Sequence, residues 1–177
     1  MKNKPLVCPW WAGRLLANPL RRIIHNPEKI TGPYIKEGSL ILEIGPGMGF
    51  FSLPMARLAG ETGKVYCVDI QEKMLSVLRK KTEKAGLSQR IITRISAGDS
   101  LNILELHGRI DFCLLFAVAH EIPDQKKLFS EIFNSLRENG ILFFSEPAGH
   151  VTKNEFSNSL DYAREAGFTL KNELKIP

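Results

Sequence analysis

Short apolar runs alternate with amphipathic stretches along the chain from about residue 40 onward. The apolar runs, rich in Ile, Leu, Val and Phe, predict strands near residues 40–44, 64–69, 91–96, 111–116 and 140–146. Apolar positions at helical spacing predict helices near residues 51–59, 72–85, 101–106, 125–137 and 154–166. This alternation predicts an α/β fold with a doubly wound, mostly parallel sheet and helices on both of its faces.

A glycine loop directly follows the first predicted strand. Glycines stand at positions 45, 47 and 49, and the acidic Glu43 precedes the first of them by two residues. Glycine lacks a Cβ atom, so such a loop lets the backbone approach a nucleotide-like ligand closely. The dinucleotide-binding fingerprint would place its third glycine at position 50, where this chain has Phe50. The spacing therefore disfavours a nicotinamide-dependent oxidoreductase.

Acidic residues follow the second and third predicted strands. Asp69 ends the second strand, where a carboxylate can accept hydrogen bonds from ribose hydroxyls or, alternatively, cap the following helix. Gly98-Asp99-Ser100 follows the third strand and fits either a ligand contact or an ordinary turn. Because parallel strands end at the same edge of a sheet, we expect these residues to lie near the glycine loop.

The fourth predicted strand runs into a loop that carries ionisable side chains. The sequence H-E-I-P-D occupies positions 120–124, soon after Phe116. Ligands of open α/β sheets bind beyond the carboxyl ends of the strands, where the first and fourth strands diverge. Histidine exchanges its proton near neutral pH, so His120 is a candidate general base; a loop hydrogen bond is the structural alternative.

Together these four segments resemble the motifs of the class I S-adenosylmethionine (SAM) dependent methyltransferases, over about residues 40 to 170. Within that superfamily, the loop after the fourth strand is similar to that of small-molecule enzymes such as the quinone-biosynthesis and arsenite methyltransferases. The resemblance implies a Rossmann-like fold and an enzyme that transfers a methyl group from SAM, with S-adenosyl-L-homocysteine as the second product. It implies a small-molecule acceptor without identifying it.

The resemblance also assigns roles to individual residues. It implies cofactor contacts from the glycine loop and from the ends of the following strands, namely Glu43, Gly45, Pro46, Gly47, Gly49, Phe50, Asp69, Ile70, Gly98, Asp99, Ser100 and Phe116. Glu43 would hold the ammonium group of SAM, Asp69 would bind the ribose, and Ile70 would pack against the adenine. His120 and Glu121 would act on the acceptor as catalytic residues.

The net charge of +5 belongs entirely to the first 38 residues, which hold seven basic and two acidic side chains, while the remainder holds 17 of each. We expect an N-terminal helical lid at 1–38, and a single cofactor-binding domain at 39–177. Four side chains of the lid, Trp10, Trp11, Arg14 and Arg21, would suit an anionic or aromatic acceptor. Alternatively, the lid helices dock on the sheet and their arginines face solvent.

The C-terminal region departs from the pattern of the family. The resemblance implies seven strands, but polar and apolar residues alternate as in a sixth strand at 168–176, and the seventh strand is missing. An unpaired sheet edge can recruit the edge of another chain. Three alternatives follow: the sixth strand pairs elsewhere in the chain, it is loosely held, or a second copy pairs with it in a homodimer through the C-terminal sheet edge.

Composition narrows the remaining classes of protein. No apolar stretch reaches about 18 residues and the N-terminus lacks a signal-peptide core, which predicts a cytoplasmic protein without a membrane span. The three cysteines lack metal-ligand spacing, so no metal site is expected. Two alternatives to a small-molecule enzyme stay open. One is an RNA methyltransferase, which the sequence pI near 9.2 suggests although no RNA-binding module is visible, and the other is a non-catalytic SAM-binding partner subunit.

Overall fold

Five parallel strands form the centre of the fold in the computed structural model, which describes residues 25–98, 100–174 and 176. The strands are β1 (Leu40–Ile44), β2 (Lys64–Asp69), β3 (Ile91–Ile95), β4 (Ile110–Phe116) and β5 (Leu136–Ser145). Their order in the sheet is β3-β2-β1-β4-β5, and every neighbouring pair is parallel. The chain adds β2 and β3 on one side of β1 and then β4 and β5 on the other side. The carboxyl ends of β1 and β4 therefore form a crevice suited to ligand binding.

Helices cover both faces of this sheet. They are α1 (Pro27–Thr31), α2 (Ser52–Leu58), α3 (Glu72–Lys84), α4 (Gln125–Ser135) and α5 (Lys153–Glu165), with 3₁₀ turns at Gly32–Tyr34, Leu104–Leu106 and Ala119–Glu121. Side chains of α2 and α3 share one buried cluster with Ile41, whereas side chains of α4 and α5 share a second cluster with Leu42. Since neighbouring strand residues point to opposite faces, β1 is buried on both sides. The predicted Rossmann-like α/β architecture is confirmed.

The described part of the predicted lid, residues 25–38, packs on the first of these clusters. Tyr34 stacks on Phe112 of β4 with ring centroids 5.6 Å apart, and Ile35 is buried in the same cluster. This segment therefore contributes to the core beside β1 and β4. A lid over the ligand stays a prediction, because residues 1–24 lie outside the described part of the chain.

The helix predicted at 101–106 is wrong, since a single 3₁₀ turn forms at Leu104–Leu106. The preceding residues have a non-helical backbone that is anchored to α4. The Leu101 amide donates to Glu131 Oε2 at 2.7 Å, and Asn102 has a left-handed φ of 54°. Leu101, Ile103 and Leu106 are still buried in the second cluster, whereas Leu104 is 90% exposed.

Strand β5 begins at Leu136 rather than at 140, and α4 ends at Ser135 rather than at 137. The pairing of β5 with β4 shifts register near its start. There Arg137 Nε donates to Asp111 Oδ1 at 2.5 Å, while Asp111 Oδ2 accepts from the Leu40 amide at 2.7 Å. One carboxylate thus joins the starts of β1, β4 and β5, which fixes their relative positions.

The strand predicted at 168–176 is wrong for the described residues of that segment, which have no regular secondary structure. Phe168 packs edge-on against Phe133 with ring centroids 5.1 Å apart, and residues 169–174 are exposed. Alternation of polar and apolar residues makes a strand only where a neighbouring strand offers hydrogen-bond partners. Within the described residues, β5 pairs with β4 alone, so a dimer through this edge stays a prediction.

Helix α5 begins at the capping box that residues 152 and 155 form. Thr152 Oγ1 accepts from the Glu155 amide at 3.2 Å, and Glu155 Oε2 accepts from the Thr152 amide at 2.8 Å. The cap satisfies two of the amides that a helix start leaves without intrahelical partners.

We expect Thr152→Ala to lower the free energy of unfolding by about 1 kcal/mol, because the Glu155 amide loses its acceptor. Urea unfolding followed by circular dichroism would measure the change. Thr62→Ala, in an exposed turn, is the matched control and should shift stability by less than about 0.5 kcal/mol. Equal effects of the two substitutions would contradict the assigned cap.

Candidate functional site

A cavity of about 1210 Å³ opens at the carboxyl ends of the strands. Its wall combines the glycine loop, the ends of β2 and β4, the loops that follow β3 and β4, and the segment after β5. Pockets for a single small ligand measure about 300–1,000 Å³, so this cavity has room for two small molecules side by side. All the predicted site residues that the structure describes line the cavity, except Gly49.

The glycine loop adopts left-handed backbone conformations. Gly45, Gly47 and Gly49 have φ angles of 68°, 53° and 85°. A Cβ atom on Gly49 would lie 2.5 Å from Leu53 Cδ1, so a side chain there would displace neighbours inside the protein itself. A Cβ atom on Gly47 would meet no protein atom within 4 Å. The backbone at Gly47 is therefore open to a ligand in the cavity.

Gly45 brings the loop after β1 against the loop after β4. A Cβ atom on Gly45 would lie 2.6 Å from Val118 Cγ2, which is closer than real side chains pack. The Gly45 amide donates to the Val68 carbonyl at 2.9 Å, so the same residue also joins the glycine loop to the end of β2.

Asp69 organises the cavity wall at the end of β2. Its carboxylate accepts hydrogen bonds from the backbone amides of Gly47, Ile70 and Gln71, the last at 2.8 Å. Burial raises the pKa of the Asp69 carboxyl above its usual value, although these amides act in the opposite direction. The neighbouring Ile70 exposes 49% of its surface and lines the cavity. An acid beside an apolar platform suits a ribose with its attached base.

Glu43 is a buried acid beneath the glycine loop. Ser52 Oγ donates to Glu43 Oε2 at 2.5 Å, and the thiol of Cys67 donates to the same oxygen at 3.6 Å. Burial raises the pKa of Glu43 to about 7, and the carboxylate of Asp69 adds to the increase. Glu43 is therefore partly protonated near neutral pH, and a cation in the cavity would favour its charged form.

The loop after β3 presents backbone and hydroxyl groups to the cavity. Ser96 Oγ accepts from the Gly98 amide at 3.2 Å and donates to the Ser100 carbonyl at 2.7 Å. Gly98 and Ser100 both line the cavity. Asp99, which was expected to contact the cofactor here, lies outside the described residues.

Aromatic rings line the cavity between the glycine loop and the end of β4. The rings of Phe51 and Phe116 have centroids 4.8 Å apart, and His25 meets Phe116 edge-on at 5.6 Å. Phe50 packs edge-on against Phe51 at 5.1 Å. This aromatic cluster, which consists of His25, Phe50, Phe51 and Phe116, offers an apolar surface to a flat ligand.

His120 lies in the 3₁₀ turn after β4 and contacts an acid that follows β5. Its Nδ1 atom lies 2.6 Å from Glu146 Oε2, and its backbone amide donates to Glu146 Oε1 at 3.2 Å. The side chain of Glu146 is only 2% exposed, whereas that of His120 is 29% exposed. Glu121 Oε1 lies 4.0 Å from His120 Nε2, and the ring of His150 lies beside that of His120 with centroids 6.4 Å apart.

Sequence reasoning missed Glu146 and His150, which line the same cavity. Glu146 directly follows β5, and β5 neighbours β4 in the sheet. Its position at the carboxyl end of a strand beside β4 could therefore have identified this acid as a site residue. His150 lies in an irregular segment where no pattern in the sequence indicates its position.

Four of the predicted substrate contacts, Trp10, Trp11, Arg14 and Arg21, lie outside the described residues and stay predictions. Within the described residues, no group of three or more His, Cys, Asp and Glu side chains could hold a metal ion. No helix in that part of the chain is long and apolar enough to cross a membrane.

Comparison with known sequences identifies one family. The profile of a family described as "Methyltransferase domain" matches residues 35–175. A protein-L-isoaspartate O-methyltransferase from Methanococcoides burtonii is 36% identical over 108 residues, which cover 61% of this chain and 49% of that protein. A demethylmenaquinone methyltransferase from Lactobacillus johnsonii is 25% identical over 122 residues, which cover 67% of this chain and 49% of that protein. The chain thus spans about half the length of these curated relatives.

Comparison with solved structures supports the same fold. The structure of a SAM-dependent methyltransferase from Aquifex aeolicus superimposes with a TM-score of 0.82 at 22% sequence identity. The match covers 96% of this chain and 94% of that protein. At this level of identity, the similarity concerns the fold.

Glu43→Gln should change how stability depends on pH. The native pKa of about 7 lies above the usual value of 4.5, so folding takes up a proton between these values. The free energy of unfolding therefore falls as pH rises through this window, by on the order of 3 kcal/mol for this group. Since Gln cannot ionise, the free energy of unfolding of the variant should decrease less over this pH range, by the amount that Glu43 contributes. Urea unfolding at several pH values from about 4 to about 8 would measure it.

Glu83→Gln is the matched control, because it removes an exposed carboxylate from α3. It should keep the pH dependence of the wild-type protein. If Glu43→Gln kept it as well, burial of Glu43 would not raise its pKa as described.

Proposed function

We propose an activity for this chain, which belongs to the class I S-adenosylmethionine (SAM) dependent methyltransferases. The chain transfers the methyl group of SAM to a small, neutral aromatic acceptor that carries an O–H or N–H group. The main support is the cavity, because one space extends from the open backbone at Gly47 to His120 and its buried partner Glu146. Donor and acceptor would meet within that space.

The residues around the glycine loop fit SAM. The open backbone at Gly47 and the exposed surface of Ile70 leave room for a ligand where the family binds its cofactor. Glu43 would hold the ammonium group, Asp69 the ribose hydroxyls, and Ile70 the adenine ring. Gly98 would contact the remaining edge of the base. When bound, SAM supplies an electrophilic methyl group on a sulfonium.

The described wall near His120 favours a neutral acceptor over an anion. Glu121 and Glu146 place carboxylates there, and Lys127 is the one lysine or arginine among the described lining residues. The aromatic cluster would contact a flat molecule. The name of the relative from Lactobacillus johnsonii, a demethylmenaquinone methyltransferase, also supports an aromatic acceptor. An anionic acceptor, the other expectation from the sequence, would depend on residues 1–24.

His120 would take the proton that the acceptor loses. When the acceptor oxygen or nitrogen takes the methyl group, the bond from the methyl carbon to the sulfonium sulfur would break and release S-adenosyl-L-homocysteine. The hydrogen on that oxygen or nitrogen would move as a proton to His120 Nε2. Glu121, whose carboxylate lies 4.0 Å from that nitrogen, would bind the polar group of the acceptor. The cavity wall orients the reactants, and orientation of this kind contributes about 7–11 kcal/mol to catalysis. The proton then passes from His120 to solvent.

The same experiments would also reveal other classes of acceptor. One relative is a protein-L-isoaspartate O-methyltransferase, so a protein carboxylate belongs in the acceptor panel. Turnover of RNA, with binding that weakens steeply as salt rises, would favour an RNA methyltransferase. Binding of SAM without turnover of any acceptor would favour a non-catalytic partner subunit.

Gly47→Ala should weaken SAM binding by about tenfold or more, which corresponds to about 1.4 kcal/mol. Its Cβ atom would meet no protein atom, so the loss would come from the space that the ligand needs. Isothermal titration calorimetry with SAM would measure the affinity, with NADH as the control ligand. The wild-type protein should bind SAM and not NADH.

The matched control is Gly86→Ala. Gly86 has a φ of 68°, and a Cβ atom there would also meet no protein atom within 4 Å, but Gly86 does not line the cavity. Both substitutions carry the strain of a left-handed alanine, about 1–2 kcal/mol, so only the effect on the ligand should differ. Normal SAM binding by Gly47→Ala would refute the assignment of the glycine loop.

His120→Ala should reduce turnover by about 100-fold or more and leave SAM affinity nearly unchanged, because the base acts on the acceptor. Formation of S-adenosyl-L-homocysteine would be measured with phenols, aromatic amines, carboxylates and RNA as acceptors. His107→Ala, an exposed histidine outside the cavity wall, is the control and should keep wild-type turnover. Loss of SAM affinity in His120→Ala would instead place His120 in the cofactor site.

A further inference from the structure

Both oxygens of the Glu146 carboxylate are used by one residue. Oε2 lies 2.6 Å from the ring nitrogen Nδ1 of His120, and Oε1 accepts from the backbone amide of His120 at 3.2 Å. The carboxylate is almost completely buried, with 2% of the side chain exposed. The two contacts therefore fix the main chain and the ring of His120 together.

The chemistry of these two contacts determines where His120 carries its proton. An ionised carboxylate only accepts hydrogen bonds, and a neutral imidazole has one nitrogen that donates and one that accepts. Nδ1 faces Glu146 and must therefore carry the hydrogen. Nε2 is then left with its lone pair, and it lies 4.0 Å from Glu121 Oε1, a distance too long for a hydrogen bond.

We propose that Glu146 is a positioning residue, which holds His120 in the tautomer protonated at Nδ1 and keeps Nε2 ready to accept a proton. This is the role that an acid partner plays for histidine bases in hydrolases of unrelated folds. The consequence for catalysis rests on the proposed function, whereas the tautomer does not.

The other charged groups near this ring do not supply the same constraint. Glu121 is close to Nε2 rather than to Nδ1, and Glu155 is engaged in the capping box of α5 with Thr152. His150 lies beside the ring with an interplanar angle of 19°, so it presents its face rather than a hydrogen-bonding edge. Among the described residues, Glu146 is thus the group that selects the tautomer.

Glu146→Gln tests the proposal, because it replaces one carboxylate oxygen by an NH₂ group and leaves the shape of the side chain almost unchanged. The backbone amide of His120 is always a donor, so the amide oxygen of Gln should face it. The NH₂ group of Gln then faces Nδ1 and donates to it, which forces the ring proton onto Nε2. Long-range ¹H–¹⁵N correlation spectra of the ring nitrogens report the tautomer directly, and the spectrum of His120→Ala assigns the signals.

In the wild-type protein, Nδ1 of neutral His120 should show the shift of a protonated nitrogen, and in Glu146→Gln the two ring shifts should exchange. Glu155→Gln is the matched control, since glutamine at this position preserves a capping box while removing a nearby charge. It should keep the wild-type tautomer. A wild-type ring protonated at Nε2, or unchanged shifts in a folded Glu146→Gln protein, would overturn the proposal.

Kinetic measurements distinguish a failure of the positioning role of Glu146 from a failure of the proposed function. With an acceptor in hand, Glu146→Gln should lower kcat on the order of 100-fold and leave the KM for SAM unchanged. If the tautomer exchanges but the wild-type protein turns over no acceptor, the positioning role stands and the proposed function fails. If turnover is unaffected in Glu146→Gln despite the exchange, His120 is not the base and the catalytic consequence is refuted.

Discussion

The site depends on the close approach of two loops at Gly45. Because this residue has no side chain, Val118 of the loop after β4 packs directly on the loop after β1, where a Cβ atom would lie 2.6 Å from Val118 Cγ2. His120 follows Val118 by two residues, so this contact sets the distance between the glycine loop and the histidine. The parallel pairing of β1 with β4 aligns the two loops along the strands. Any larger residue at Gly45 would force Val118 to shift, and the left-handed φ of 68° would add backbone strain.

Much of this arrangement could be predicted from the sequence, because its parts lie next to strand ends. Glu43, Asp69 and Gly98 come from three different strand-to-loop junctions, and the parallel topology alone brings such junctions to one edge of the sheet. The left-handed angles of the glycine loop could likewise be expected, since glycine adopts them without steric cost. The sequence could not show that Gly49 serves internal packing against Leu53 while Gly47 faces open space. That distinction depends on neighbours that are distant along the chain.

The features that were missed or wrongly predicted have a common physical cause, which is contact with distant residues. The partner of His120 is Glu146, 26 residues away, and no local motif connects them. The segment at 101–106 has helical spacing, but its start is anchored to Glu131 of α4 through the Leu101 amide, and Asn102 has a left-handed φ of 54°. The alternating segment after Gly167 resembles a strand, yet its described residues have no strand beside them. In each case, a tertiary hydrogen bond or its absence outweighs the local pattern.

The acidic side chains around the cavity differ in the hydrogen-bond donors that the protein provides for them. This difference determines which ligand charge each of them favours. Glu131 accepts from a backbone amide, Asp124 caps α4, and Glu146 contacts His120, so each has strong donors within the protein. Among the described residues, Glu43 has a hydroxyl and a thiol as its hydrogen-bond partners, and burial raises its pKa to about 7. An isolated buried carboxylate is costly, and partial protonation near neutral pH reduces that cost. A cationic ligand beside Glu43 would favour its ionised form and gain an ion pair in return, whereas an anionic ligand would gain nothing. This end of the cavity therefore favours a cationic group over an anionic one.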